Sequence, residues 1–590
     1  MNTKLIKDPV HGYIRIPKSY LKNVVDTCEF QRLRSIRQTS YDSLYPGSSH
    51  NRFIHSLGVF YLGKRAFKAL KENVADRFQK QPDFWKECKI TFELACLLHD
   101  IGHTPFSHVG EDFLITVKEK DKFEVMKHGL LQKESSEITK LYNELLEVMK
   151  ARLSKEEFKE FKEDFAATIL GSSRYDERIN AAKPHEIMSV IIAMEMYEPF
   201  FKEEGANLNL FARAILGLQY RNKNKRKCAV YNALVQMLNS SIIDVDRLDY
   251  IMRDTQMTGF DSTSIDIDRL LDSVIIIKND NDEYQLAYKK NAISTIENVI
   301  LAYDAERRWI QGHPVVIYDS FLIKECLTAI DRKFKVKNNS LGIFQKDALK
   351  LKGVSLENGL RLRLLNDGDC LFLIKQMYSV KEAYYVSEYL ARDKRKRPIW
   401  KSEAEFKLFL AQLNSSQQKI FMNIFNSKNE EKEKTSIGSS LDANRIKELK
   451  QEIQEMEKDG TLNTEDIKNT VLVHEKQLFW LEKLQEYFTK RGMEFQIQNM
   501  TVDTFNSKIN VLSEGKVHIW FENFKKSKDI SGLIKVYQTE EERKKEEKKE
   551  EIIYWFIYKS DSFDQDDLIE FIKITADEFQ KKYEPALRRA

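Results

Sequence analysis

The sequence is short of the residues that break helices. Ten prolines and 21 glycines are spread over 590 residues, too few for a chain built from short strands and tight turns, so a mainly α fold is expected. Cysteine is also scarce. The six (Cys28, Cys88, Cys96, Cys228, Cys326 and Cys370) contain no Cys-x-x-Cys pair, which leaves no zinc-ribbon pattern and makes reduced core thiols the expectation. No charge of one sign prevails: Lys+Arg number 95 and Asp+Glu 91, a net of +4. That balance argues against a general polyanion binder. No apolar run approaches the roughly 20 residues needed to span a bilayer, and Met1–Pro9 has no signal-peptide core. The expectation is a soluble, cytoplasmic chain with no membrane partner.

What the sequence does hold is core material, with 42% hydrophobic and 11% aromatic residues. A chain of this length predicts two or three domains. Composition suggests a core over residues 1–425, a polar linker at 426–440, and a C-terminal α+β region at 441–590. Lys7–Pro17 alternates between two prolines and reads as a β-ribbon. Ser19–Arg37 has helical spacing, as does the stretch from His55 to about Asn73. In the C-terminal region, 443–486 reads as two charged helices, 509–537 and 552–558 as strands, and 564–583 as an amphipathic helix. The run 540–551 is taken as an exposed helix or loop.

Ala95–His108 is the most informative stretch. An apolar run, Leu94–Leu98, leads into His99-Asp100, and His103 and His108 follow, so three of eleven histidines fall within ten residues. The run is apolar on every side and reads as a buried helix. A buried Asp needs a cation or hydrogen bonds to offset its desolvation, and a metal ion with neutral imidazoles is one answer. The plainer alternative is a satisfied His–Asp pair with surface histidines. A second stretch, Ser240–Gly259, places Asp244, Asp246, Asp249 and Asp254 inside an otherwise apolar helix. Asp246, Tyr250 and Asp254 share one stripe at i, i+4, i+8. His55, near a helix start, has Arg52 about one turn before it. Glu111 follows His108 at i+3 and is placed to pair with it. His185 stands in the first turn of another helix, where surface and functional readings are evenly weighted. Together His55, His99, Asp100 and Asp246 form an H…HD…D set that suits a divalent ion such as Mn, Fe, Mg, Zn or Ni.

These segments resemble the HD-domain phosphohydrolases. The closer match is the deoxynucleoside triphosphate (dNTP) triphosphohydrolase, or dGTPase-like, branch. The resemblance is carried by Lys7-Asp-Pro-Val-His-Gly, Asp26–Arg34, Ser49–Gly58, His99–His108 and Asp244–Asp254 in family order. It covers residues 4–260 and weakens towards 420. It implies a helical HD-domain metallohydrolase core in which His55, His99, Asp100 and Asp246 hold the metal. His103, His108 and His185 match catalytic-pocket histidines, with His108, paired to Glu111, as the general acid; an Asp is common at the Glu111 position. Arg52 and Arg247 match phosphate contacts. Tyr250, Asp254 and Gln38 match contacts to the deoxyribose. Asp26, Gln31 and Arg34 match a regulatory guanine-nucleotide site, and a surface ion-pair face is the alternative for them. The implied reaction is attack of activated water on the α-phosphate of a dNTP, dGTP foremost, giving a deoxynucleoside and inorganic triphosphate. The implied partners are a dNTP substrate, a nucleotide activator and further copies of the chain in a dimer, tetramer or hexamer.

Two rival readings stand beside this one. The first is an HD phosphohydrolase acting on a nucleoside monophosphate or a cyclic nucleotide. The second is a nucleotide-sensing or nucleic-acid-binding regulator, which would draw on the basic runs Arg221–Lys227 and Arg392–Arg397.

Overall fold

Helices dominate, and the strands fall into small sheets. The computed structural model describes residues 2–40, 43–78, 81–111, 113, 137–170, 182–240, 243–260, 264–279, 281–337, 342–380, 383–426, 438–458, 465–503, 517–530, 551–558 and 563–583. The chain divides into two units. The first comprises Met1–Gln311, Leu327–Met377 and Asn506–Glu546; the second comprises Gly312–Cys326, Tyr378–Phe505 and Glu547–Ala590.

In the first unit, helix α1 (Arg52–Phe78) packs against α2 (Pro82–Leu98) and α6 (Val245–Thr258), with α3 (Pro184–Glu204), α4 (Leu208–Leu216) and α5 (Arg226–Leu238) around them. Pro82 starts α2, where its fixed φ suits the first helical position. Ile90 to Leu98 are all buried, as the apolar run predicts. The helix ends at Leu98, so His99 is its cap and the His–Asp pair sits at the helix end, where side chains are free to converge. Asp244 caps α6 by accepting the Arg247 amide at 2.6 Å, and Gly259 closes it in the left-handed region.

Two glycines let α1 approach its neighbours. A Cβ at Gly63 would stand 2.4 Å from Cys96 Sγ, and one at Gly58 would stand 1.9 Å from Asp249 Oδ1 and 2.5 Å from Arg253 Nη2. Gly58→Ala is therefore expected to destabilise the fold by about 1–3 kcal/mol through overpacking against a buried ion pair. A lowered urea midpoint at unchanged m-value is the check.

The N-terminal ribbon forms as expected, with β1 (Thr3–Asp8) antiparallel to β2 (Gly12–Pro17) and Asp8 opposite Gly12. The helix expected over 19–37 is instead broken. A π-helical turn at Leu21–Val25 ends at Asp26, Thr27 is extended, and helix resumes at Cys28–Arg32. Thr27 Oγ1 donates to the Val24 carbonyl at 2.6 Å, a side-chain bond that competes with the helix ladder.

The hairpin of β3 (Val274–Lys278) and β4 (Tyr284–Lys289) gains two strands from far along the chain, β5 (His518–Phe521) and β6 (Lys526–Asp529), in the order β6-β5-β4-β3. Strand β5 runs parallel to β4, with Ile519 opposite Tyr288. This segment, assigned from the sequence to the C-terminal region, belongs to the first unit's sheet. Helix α7 (Ile293–Ala305) runs into a π-helical turn, Glu306–Gln311.

The second unit has an antiparallel sheet of Arg397–Pro398, Glu551–Ile557, Gln496–Asp503 and Gly438–Asp442. Trp400, Phe409, Phe421, Trp480 and Trp555 share its core. Residues 397–425 thus pack with the later segments, and the 1–425 division suggested by composition differs for this reason. Most of the expected linker (427–437) and the charged run at 540–550 lie outside the described residues. Within the basic run 392–397, Arg395 is paired with Asp319 and Lys396 with Glu388, both at 2.5 Å and buried, so those two charges are structural. No helix among the described residues is long and apolar enough to cross a membrane.

Candidate metal centre

His55 from α1 and His99 and Asp100 from the end of α2 bring their ligand atoms together within 4.8 Å, and Asp246 from the first turn of α6 stands beside the two imidazoles. His55 Nε2 is 2.9 Å from Asp246 Oδ1 and 3.6 Å from Asp100 Oδ2, and His99 Nε2 is 3.4 Å from Asp100 Oδ1 and 3.6 Å from Asp246 Oδ1. Ligand atoms about 2.1 Å from one ion stand about 3–3.5 Å from each other, so these separations fit a shared divalent ion. The ring orientations fit as well. His99 Nδ1–H donates to the Cys96 carbonyl at 2.9 Å and His55 Nδ1–H to Asp249 Oδ2 at 2.7 Å, which leaves both Nε2 lone pairs for the cation. Burial of His55 opposes charge there, but the hydrogen bonds to Asp246 and Asp249 prevail and hold its pKa up at about 9.

Asp100 is 1% exposed. Burial opposes its ionisation, yet Arg52, with His99 and His103, keeps it well below the usual carboxylate range. Arg52 Nη1 donates to Asp100 Oδ2 at 2.8 Å and its Nε to Ser107 Oγ at 2.9 Å; Nη2 makes only 3.4 Å contacts, to the Gln38 carbonyl and His108 Nε2.

A second cluster adjoins the first. Glu111 Oε1 lies 3.4 Å from His103 Nδ1, 3.0 Å from His108 Nδ1 and 2.5 Å from His185 Nδ1. The His103 and His185 rings stack at 4.0 Å, with His108 edge-on to both. Burial, with the Arg52 and His185 charges, pushes His103 well down, so it is neutral. Glu111 is ionised despite burial because His185 and His108 stabilise its charge. The His108 side chain is 59% exposed, the most open of the three imidazoles.

The loop carrying His108 is strained: Phe106 and Ser107 both have positive φ, 58° and 52°. Asp367 holds it, accepting the Phe106 amide at 2.7 Å and the Arg37 amide at 2.9 Å. Arg32 donates to the His103, Ile101 and Leu365 carbonyls at 2.8–3.0 Å.

His99, Asp246, His185, Arg247 and Tyr250 line one cleft, together with Lys183, Glu186 and Asp244. The Arg247 guanidinium lies 4.8 Å from the Tyr303 ring centre. Gln38 is buried beside Arg52, and its Oε1 has no hydrogen-bond partner among the described residues. Asp254 does not line this cleft. It is 1% exposed, accepts from His50 Nε2 at 2.6 Å, and shares a hydrogen bond with Glu306. Asp26 and Arg34 are exposed; Arg34 Nε donates to Gln31 Oε1 at 2.7 Å and its guanidinium lies 3.5 Å from the Phe53 ring centre.

Burial raises Asp254 to about 7 and also raises Glu306. The folded chain thus holds the pair's proton more tightly than the unfolded chain. Their contribution to stability is fully present below the ordinary carboxylate range and is lost as pH rises through about 7. Urea melts across this range should show that loss, and Glu306→Gln should reduce it.

From the sequence, Asp249, Asp367, Arg32, Ser107, His50 and Glu306 carry no assigned role at the site. Asp249 had a signal, since it lies i+3 from Asp246 in the same buried helix. Asp367 had none: only folding brings it to Phe106.

Residues 52–251 match the family model described as "HD domain". Residues 52–251 therefore carry an HD domain, and the candidate metal centre lies inside it. Among curated proteins the chain is similar to deoxynucleoside triphosphate triphosphohydrolase SAMHD1 of Gallus gallus, at 27% identity over 339 residues, 57% of this chain and 47% of that protein. It is similar to uncharacterized protein YwfO of Bacillus subtilis at 27% over 315 residues, 53% of this chain and 52% of that one. A shorter match, 44% over 110 residues, is to SAMHD1 of Xenopus laevis and covers 18% of this chain and 16% of that one. In the two longer matches the chain spans about half the length of the curated relative.

Proposed function

We propose that the chain is a metal-dependent dNTP triphosphohydrolase that releases a deoxynucleoside and inorganic triphosphate, with dGTP its preferred substrate. The observation that carries this reading is the position of Asp100. It faces His55 and His99 at the metal centre and also lies 3.1 Å from His103 of the Glu111 cluster. A candidate cation site and a cluster of imidazoles therefore share one carboxylate, an arrangement suited to splitting a phosphate ester.

When bound, a divalent ion supplies positive charge at the phosphate and lowers the pKa of water. The chain's residues do the rest. Arg247 in the cleft meets the anionic phosphates, and the weakly held Nη2 of Arg52 is the part of that side chain able to join it. Burial lowers the His108 pKa and the Glu111 charge at Nδ1 opposes that shift; Glu111 thereby orients His108 and supports the protonated form that gives a proton to the leaving 5′ oxygen. Tyr250 and Gln38 are assigned to the sugar, and so is Asp254, acting from behind the cleft wall. Asp26, Gln31 and Arg34 are assigned to a second, regulatory nucleotide, and the active species to a homo-oligomer.

Purified protein incubated with each dNTP, alone and with a second dNTP, under Mn, Fe, Mg, Zn and Ni, tests the reading. The expected result is release of inorganic triphosphate, fastest with dGTP and stimulated by a second nucleotide. Release of only orthophosphate or pyrophosphate would overturn it and favour another nucleotide phosphohydrolase.

A further inference from the structure

We propose that the turn of the N-terminal hairpin is part of the metal centre: His11 is a positioning residue that fixes the ligand His55 through Asp249. The proposal rests on the metal reading above.

An ionised carboxylate offers about four lone-pair directions, and all four on Asp249 are taken. Oδ2 accepts from His55 Nδ1 at 2.7 Å and Arg253 Nε at 2.9 Å; Oδ1 accepts from His11 Nε2 at 2.6 Å and Arg253 Nη2 at 3.0 Å. Asp249 is 0% exposed, so no water substitutes for a missing donor. With every direction filled, the carboxylate plane cannot turn, and neither can the imidazole whose Nε2 faces the cation.

The hairpin enters this network twice. Asp8 Oδ1 accepts the amides of Val10 and His11 at 3.0 and 2.8 Å, closing the turn that delivers His11. Asp8 Oδ2 accepts from Arg253 Nη1 at 2.8 Å, fixing the guanidinium that grips Asp249 from the other side. Gly12, at φ 75°, lets the chain reverse directly after His11. The His11 ring also lies 5.1 Å from the ring of Tyr61, which stands on α1 six residues after His55. A turn serving only to join two strands needs no imidazole buried against a carboxylate shared with a metal ligand.

Loss of such an outer partner costs about 10–100-fold in metal affinity in well-studied sites. The test is a Co2+ titration of the metal-stripped full chain, followed by its visible d–d absorption. His11→Phe keeps a ring against Tyr61 but removes the donor, and His11→Gln restores a donor. The expected result is Co2+ binding about 10–100-fold weaker in the Phe variant, with altered bands, and near-normal binding in the Gln variant. Melting temperatures of the metal-free forms report the purely structural contribution. If the Phe variant does not fold, the same titration on His11→Ala replaces it. Wild-type affinity and bands in the donor-free variant would overturn the proposal. So would equal weakening in the Phe and Gln variants, tracking an equal fall in melting temperature. A wild-type chain that takes up no Co2+ would overturn the metal centre itself, which separates the two failures.

Discussion

His99→Ala combined with Asp100→Ala abolishes triphosphate release, to below about one part in a thousand of the wild-type rate. The expected size follows from what the pair does. The double change removes two of the four proposed ligands, and the metal-derived charge and water activation should go with them. It also removes the counter-charge of Arg52, a guanidinium only 3% exposed. Breaking one side of a buried ion pair costs about 3–5 kcal/mol, so the double variant is expected to be less stable as well as inactive. His99→Ala alone separates the effects. It leaves the Arg52–Asp100 pair in place and removes the hydrogen bond to the Cys96 carbonyl and the longer contacts to Asp100 and Asp246, so its fold should survive with its activity lost. Triphosphate release and circular dichroism on both variants decide the matter. Activity persisting in a folded His99→Ala chain would sink the metal assignment, and a biological effect persisting in the inactive double variant would favour the regulator reading.

Glu111→Gln lowers turnover by about 10²–10⁴-fold, the range general acid–base groups contribute. Three imidazole Nδ1 atoms converge on Glu111 Oε1 within 3.4 Å. An amide keeps the shape and one acceptor oxygen but loses the charge that opposes the burial-driven lowering of the His108 pKa. The loss should fall mainly on kcat, because the cleft cation Arg247 is untouched. A variant that stays within a few-fold of wild type would remove Glu111 from the proton-handling role and leave it a packing partner of His185.

Much of this was legible in the sequence, for physical reasons. Polar residues inside apolar helices need an answer, and His55, His99, Asp100 and Asp246 each stand out against such a background. The structure gathers those four. The residues around them were harder to read, because their signals are ordinary. Arg32 looks like one more charge on an arginine-rich surface helix, yet it is 4% exposed and holds three carbonyls, two of them in the motif loop. His11 looks like a turn residue. The stripe spacing that put Asp254 beside Tyr250 was sound as geometry, but the neighbours of α6 differ along its length, and Asp254 faces His50 and Glu306 instead of the cleft. The break at Asp26–Thr27 escaped a reading by periodicity, since one side-chain hydrogen bond outweighed an otherwise regular helical pattern.

The parallel pairing of β5 with β4 has a consequence for how the protein is made. Strand β4 is translated early, and its partner appears only after residues 290–517 have been synthesised. At about 5–20 residues per second, that edge waits on the order of ten to fifty seconds on the ribosome with its backbone unpaired. An open strand edge invites pairing with other chains. Shortening the protein from its C-terminus beyond residue 517 would leave the nascent chain's problem permanent, and such truncations are expected to lose solubility before they reveal what the second unit does.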